Sequence, residues 1–491
     1  MKVVICLLLA GYGFYGVADS PQMKVGYAKA DITPPMGTYM PGYYKVRHAK
    51  SVLDPLQVNM LAFTDGRTSA LVAQLDAMAI SDSVADDMRD AIVRATGINR
   101  EAILLHASHT HDGGYLMGNR KSHSAEGLEY DDEGIPPPGP LDNLYIDLCI
   151  SRVVDAAVKA LSEARPASFS IGRSEAKRIS FGRRYLMKDG KVITNPGTNN
   201  PDIVRPVGTA DETVQVLRID RDGAKAICVI NFQTHPDTVG GETISADWPG
   251  LTRDIFEAAT MGETHCVVIN GMEGDVNHCN VMPRPGELNG LKHDFDAVDR
   301  GYDHTKHMAN VLAGAALSVW IKCVPVEAGS IRFAKADVKV PAQKAKDSDE
   351  KNLAWAKKVW ALHEAGKDDE ISKWLGCYEM QLTTEVARAG RIIRMAGHAD
   401  YHLIPVWGVS LGDVAFGGFP GEPFNDIGIA IRKDSPFKMT ILSCLTNGSR
   451  GYFPFSDSYK QGGYESATSP FGPSVADDLI AGECKLLISI K

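Results

Sequence analysis

The chemistry-bearing residues of this chain cluster where apolar runs end. Ala102-Ile103-Leu104-Leu105 leads into His106-Ala107-Ser108-His109-Thr110-His111-Asp112-Gly113-Gly114. In an extended chain, residues two apart point to the same side. His109 and His111 are therefore predicted to project together from a strand end, beside a glycine pair that lets another group approach. Ala226 to Phe232 is followed by Gln233-Thr234-His235-Pro236, and Val267 to Asn270 by Gly271-Met272-Glu273-Gly274-Asp275-Val276-Asn277. Strand-to-loop transitions are where α/β enzymes place reactive groups. Neutral imidazole is the commonest metal ligand. A catalytic zinc takes about three protein ligands and keeps one position open. Taken alone, His-x-His reads equally well as two hydrogen-bonded histidines at a sheet edge.

The hydrophobic pattern supplies the elements that must hold these groups. Val52 to Thr64 and Thr68 to Ile80 read as strands, and Ser83 to Thr96 as a helix capped by Ser81 or Ser83 and stopped by Gly97. Ala102 to Ser108, Thr213 to Ile219, Ala226 to Phe232 and His265 to Asn270 are strands; Leu141 to Ala164, Trp248 to Thr260 and Asp303 to Lys322 are helices. Further on, Glu327 to Val340 reads as sheet and Lys351 to Arg394 as a charged helical pair. Val406 to Phe419 reads as a hairpin and Met439 to Asn447 as a last strand. The expected fold is mixed α/β, with one large catalytic domain over 19–491 and a helical excursion at 341–400. The loop 113–139, with its acidic run and Pro136-Pro137-Pro138, has the length of a functional lid or a disordered segment.

Composition narrows the function classes. The 491 residues carry 52 Lys+Arg against 61 Asp+Glu, a net charge of -9 that argues against a nucleic-acid or anionic-lipid binder. The body of the chain holds no apolar run long enough to span a bilayer. Met1 to Ala18 reads as a secretory signal peptide, which predicts a secreted or periplasmic protein. Gly11, Gly13 and Gly16 match a G-x-G-x-x-G spacing, but they lie inside that apolar segment and cannot cradle a phosphate. Cys6 leaves with the signal. The other eight cysteines form no C-x-x-C, and several sit in apolar runs as buried thiols. Gly408-Val409-Ser410-Leu411-Gly412 matches a nucleophile elbow, yet strand alternation continues on both sides of Gly412-Asp413, which makes it a hairpin. His363-Glu364 is not the start of a H-E-x-x-H zinc helix.

Seven segments, in order over about residues 24 to 475, resemble the neutral, non-lysosomal ceramidase family. They are Ala30-Asp31-Ile32-Thr33-Pro34-Pro35, Ser108-His109-Thr110-His111, Thr234-His235-Pro236, Glu273-Gly274-Asp275-Val276, Pro420-Gly421-Glu422, Gly451-Tyr452 and Tyr464-Glu465-Ser466-Ala467-Thr468. The resemblance implies the catalytic domain of a zinc amidase that splits the N-acyl bond of ceramide. It implies zinc ligands at His109, His235, Glu422 and Tyr452, with His111, Arg183 and Tyr464 around the scissile carbonyl. Gly182-Arg183-Arg184 leaves a one-residue ambiguity at the arginine. Two imidazoles, a carboxylate and a phenol are nitrogen and oxygen ligands suited to Zn²⁺.

The chain departs from the family in three places. Asp112 follows His111 where the family carries a serine, and Asn277-His278 stand where it has serine and proline. The family's further C-terminal β-domain is not expected, because the chain ends about 25 residues after Tyr464. A carboxylate and an imidazole at the pocket mouth would favour a hydroxyl-rich headgroup. The expected activity is hydrolysis of an N-acyl amide of a small molecule or lipid. The alternatives are a deacylase or esterase for an N-acyl sugar, and a non-catalytic surface binding protein with a structural metal.

Overall fold

The computed structural model describes residues 22–43, 46–118, 138–284, 301–343 and 350–491. The signal segment 1–18 and most of the 113–139 loop lie outside the described residues. Its first sheet contains β1 (Lys24–Asp31), β2 (Gln57–Thr64), β3 (Ser69–Leu75), β4 (Ile103–Ala107), β5 (Arg165–Glu175), β6 (Thr213–Arg221), β7 (Ala226–Phe232) and β8 (Thr264–Asn270). The order across the sheet is β8-β7-β6-β5-β1-β2-β3-β4, with Val324–Val326 added on β5. Both margins are parallel, β3 with β4 and β7 with β8, and the pairs between them are antiparallel.

The margin strands read as unbroken apolar runs because both of their faces are covered. Along β7, Cys228, Ile230 and Phe232 meet α3 (Asp247–Ala259) and α4 (Tyr302–Trp320), through Trp248, Phe256, Met308 and Leu312. The alternate residues Ile227 and Val229 turn to a second sheet. That sheet is β9 (Ile331–Pro341), β10 (Tyr401–Leu411), β11 (Val414–Gly418) and β12 (Met439–Ser443), paired in chain order. Trp407, Val409 and Phe416 face the first sheet, and Ile404, Val406 and Ala415 face away. The result is two packed sheets between helical layers, a mixed α/β architecture.

On the other half of the first sheet lie α1 (Asp82–Thr96) and α2 (Pro140–Ser162). α2 presses on β1 at Gly26, where an added Cβ would sit 1.7 Å from the Ala160 carbonyl oxygen. Ser81 caps α1 and Gly97 ends it in the left-handed conformation, as the sequence predicts.

Some elements differ from expectation. The run from Val52 to Thr64 is broken after Val52, at Asp54-Pro55, and the strand restarts at Gln57. The expected helical pair is three helices, α5 (Glu350–Glu364), α6 (Asp368–Leu375) and α7 (Glu379–Met395). Gly366 and Gly376, with φ of 68° and 66°, make the two breaks. α8 (Asn425–Asp434), α9 (Tyr464–Thr468) and α10 (Val475–Ser489) follow. Ile427 and Ile431 of α8 and Leu479, Leu486 and Leu487 of α10 cover the outer face of the second sheet. Residues 113–118 are not all lid, since Tyr115, Leu116 and Met117 are buried. Ser410 lies in the β10–β11 hairpin and donates its hydroxyl to the Ile490 carbonyl at 2.7 Å, so it serves packing. The eight described cysteines are free.

Candidate metal centre

The strand β4 stops at Ala107, so alternation along a strand does not place His109 and His111. A turn does. His109 has φ of 73°, the left-handed region that a non-glycine residue enters at a cost of about 1–2 kcal/mol. The turn is held by His109 N–H to the Ala77 carbonyl at 2.9 Å and His111 N–H to the Pro236 carbonyl at 3.1 Å. It brings the Nε2 atoms of His109 and His111 within 3.3 Å.

Each buried imidazole is oriented through its other nitrogen. His109 Nδ1 lies 2.8 Å from the Met78 carbonyl oxygen, and His235 Nδ1 lies 2.9 Å from that of Glu273. Carbonyls only accept, so both rings carry the proton on Nδ1 and present the Nε2 lone pair. Arg183 Nη1 is 3.2 Å from His235 Nε2, and a guanidinium can only donate, which agrees with that tautomer. Glu422 Oε2 closes the group, 3.2 Å from His235 Nε2 and 3.5 Å from His109 Nε2. It is buried without a hydrogen-bond donor. Lone pairs converging in this way repel one another unless a cation lies between them.

The surrounding charge points the same way. Glu273, Asp275, Glu422 and Glu465 are buried against Arg183 and Arg184. Burial, with Glu422 adding, lifts the Glu273 carboxyl well above the ordinary carboxylate range, and burial lifts Asp275 to about 7; a cation at the centre would favour the ionised form of both. Burial works against ionisation of Glu422; Arg183 favours it, and His109 and His235 would add to that only in their protonated forms. Burial lowers His109 to about 4, and it pushes the Tyr452 hydroxyl far up, with Glu422 adding to the effect. Two sets of potential ligand atoms each lie within 4.8 Å of one another: His109, His111 and His235, and His109, Glu273 and Glu422. The nitrogen and oxygen donors present fit a zinc ion.

Tyr452 is the register partner of Glu422 in a short parallel bridge, and its ring lies under the Arg183 guanidinium at 5.4 Å. Tyr464, at the start of α9, packs edge-on against Tyr452 with ring centroids 5.7 Å apart. The two neighbouring arginines diverge. Arg183 points to His235, while Arg184 lies over the Phe424 ring and donates to the Gly462 carbonyl at 3.1 Å.

The structure corrects the reading of the departures. Asp112 is fully buried and accepts from Arg47 Nη1 at 3.3 Å and from Gly240 N–H at 3.1 Å. Burial, with Asp247 adding and Arg47 opposing, lifts its carboxyl to about 7. His278 is also fully buried, with Nδ1 2.9 Å from Asp237. Asn277 donates to the Asn195 side chain at 3.2 Å. The polar atoms of these residues are engaged inside the protein. Sequence reasoning passed over three supporting residues. Glu273 and Glu465 lay in quoted motifs, where their burial was the missing signal; Arg47 lay in none.

No protein-family model matches the chain, and no curated protein does. Solved structures do. The crystal structure of neutral ceramidase from Pseudomonas aeruginosa matches with a TM-score of 0.68 at 15% identity, covering 96% of this chain and 75% of that one. The fold is that of neutral ceramidase. A ceramidase described as complexed with C2 matches with a TM-score of 0.64 at 14% identity, covering 95% of this chain and 75% of that one. The neutral ceramidase fold thus extends over nearly the whole chain.

Proposed function

We propose that this chain is an exported zinc-dependent amidohydrolase that cleaves the N-acyl bond of a ceramide-type lipid. The mature catalytic domain would begin near Asp19. The observation that carries the reading is the convergence of His109 Nε2, His235 Nε2 and Glu422 Oε2 beneath Arg183, within a neutral ceramidase fold. In this reading His109, His235, Glu422 and Tyr452 hold the zinc. When bound, zinc lowers the pKa of a coordinated water and polarises an acyl oxygen.

The chain's own residues do the rest. His111 stands beside His109 with its backbone N–H held by Pro236, and it would take a proton from the attacking water and return it to the leaving nitrogen. Arg183 and Tyr464 would donate to the oxygen that gains charge as the carbonyl carbon becomes tetrahedral. Export is supported by Met1 to Ala18, and among the described residues no helix is long and apolar enough to cross a membrane. With Asp112 turned to Arg47 and His278 to Asp237, the case for a hydroxyl-rich headgroup loses its main support.

The test is product identification from wild-type protein with zinc content measured alongside. A fluorescent short-chain ceramide should yield free fatty acid and sphingoid base at one zinc per chain. Cleavage of an N-acyl amino sugar instead would move the reading to a sugar deacylase. Bound zinc without turnover of any amide would leave a binding protein.

A further inference from the structure

Arg183 and Tyr464 lie far apart in the sequence, and one carboxylate connects them. Glu465, which follows Tyr464, is fully buried. Its Oε1 accepts from Arg183 Nε at 2.7 Å, a contact spanning 282 positions of sequence. Its Oε2 accepts from the Thr194 hydroxyl at 2.9 Å and lies 3.6 Å from Arg184 Nε. The same Thr194 oxygen accepts the backbone N–H of Tyr464 at 3.3 Å. Arg183 Nη2 donates to the Gly274 carbonyl at 2.7 Å. A guanidinium is planar, so holding Nε and Nη2 fixes its plane and leaves Nη1 as the edge turned to His235. Gly463, with φ of 103°, lets the chain enter α9 at this point; an added Cβ would stand 3.5 Å from both Glu465 Oε2 and Thr194 Oγ1.

We propose that Glu465 is the positioning residue that aims both Arg183 and Tyr464 at the scissile amide, an inference that rests on the amidase reading above. Both of its oxygens are engaged inside the protein, so it acts through its neighbours and not on substrate. Preorganised donors matter because a misplacement of about 1 Å can cost about 100-fold in rate.

The experiment compares wild type, Glu465→Gln, Arg183→Ala and the double variant on a fluorescent short-chain ceramide. Glu465→Gln should lower kcat by about 10- to 100-fold, with KM within about threefold and zinc content unchanged. In the Arg183→Ala background the same change should cost clearly less than in wild type, because one of the two groups it aims is gone and only the loss through Tyr464 remains. Multiplicative losses would overturn the proposal. A second readout needs no substrate. In protein labelled with ¹⁵N-arginine, the slowly exchanging Nε–H signal lost in Arg183→Lys should shift or broaden in Glu465→Gln. An unmoved signal overturns the proposal even if the wild type cleaves no ceramide, an outcome that sinks the amidase reading separately. If Glu465→Gln does not fold, Glu465→Asp, one methylene shorter, goes through the same comparisons under the same criteria.

Discussion

Glu422 and Tyr452 are register partners in a two-residue parallel bridge, Glu422–Pro423 against Tyr452–Phe453. Partners in register project to the same face, so a carboxylate and a phenol reach the centre side by side. The bridge is closed by Glu422 N–H to the Gly451 carbonyl at 3.0 Å. It needs Gly421, where an added Cβ would lie 2.5 Å from the Gly451 carbonyl oxygen. Gly421→Ala should therefore weaken metal binding without touching a ligand, by about 10- to 100-fold. His109→Ala, His235→Ala and Glu422→Ala should abolish it. Metal analysis after dialysis against a mild chelator measures all four, and full retention in Glu422→Ala would remove that residue from the ligand set.

Arg183→Ala and Tyr464→Phe should keep the metal and lose rate. Removal of one preorganised oxyanion donor costs about 3–4 kcal/mol, roughly 100- to 1,000-fold in kcat. Ser410→Ala is the contrast, since its hydroxyl binds the Ile490 carbonyl and its turn belongs to a hairpin. Turnover should survive that change. A serine mechanism is revived only if Ser410→Ala loses activity with zinc retained.

His106 opens the H-A-S-H-T-H run, yet it is a structural cross-link. Its Nδ1 lies 2.7 Å from the Cys444 carbonyl oxygen, and its Nε2 accepts the Asn270 N–H at 3.1 Å. The bond from Asn270 requires the neutral ring, whereas the bond to Cys444 is made in either state. Burial lowers its pKa to about 4 from the ordinary 6.5, against the Cys444 carbonyl, which raises it. The unfolded chain then binds more protons than the folded one between those values, so stability is lost as pH falls from about 6.5 to 4. The loss from this one group is about 3 kcal/mol. Urea titrations across that window should show a steeper pH dependence in wild type than in His106→Gln.

Glu483 has the opposite sign. It is fully buried on α10, neither oxygen has a hydrogen-bond partner, and its Oε1 lies 2.2 Å from where a Cβ on Gly417 would stand. Burial alone raises its carboxyl well above the ordinary value. The folded state holds this proton after the unfolded chain has released it, so stability falls as pH rises from the unfolded pKa of about 4.5 towards the folded one. Glu483→Met keeps the unbranched shape and removes the titration. It should gain about 2 kcal/mol at pH 8 and less at pH 5, read from paired thermal melts. An equal gain at both pH values would mean that the carboxyl does not titrate in this range.

Continuous apolar runs announced the strands that end near the centre, because β4, β7 and β8 are covered on both faces and their sequence shows it. Half-exposed strands were harder. β5 runs Arg165-Pro166-Ala167-Ser168-Phe169 with little alternation, since much of it is only partly covered. The Glu422–Tyr452 bridge has two residues on each side and no periodicity to read; only the family likeness singled those residues out. Strand alternation correctly grouped His109 with His111 for a wrong reason, because a left-handed turn does the work. The direction of a polar side chain was beyond sequence altogether. Asp112 was read as facing a pocket mouth and instead faces Arg47.

That reversal sets the last prediction. Arg47 donates to the Asp112 carboxylate at 3.3 Å, to the Gly241 carbonyl at 2.6 Å, to the Pro41 carbonyl at 2.9 Å and to the His111 carbonyl at 2.5 Å. Its guanidinium also stacks over Tyr43 at 4.2 Å. Asp112 thus steadies the cation that braces the backbone of His111. Asp112→Ser shortens the side chain and strands buried donors on Arg47 and Gly240, each costing about 1–3 kcal/mol when unsatisfied. The expected result is a lower melting temperature and a lower kcat on every amide. Preference should not move: the ratio of kcat/KM for a ceramide analogue to that for an N-acyl amino sugar should stay within about twofold of wild type. Discrimination by a site that bonds a substrate hydroxyl is far larger than that, about 10⁴-fold when the hydroxyl is missing. A tenfold shift towards the ceramide analogue in Asp112→Ser would mean that this carboxylate reads the headgroup after all.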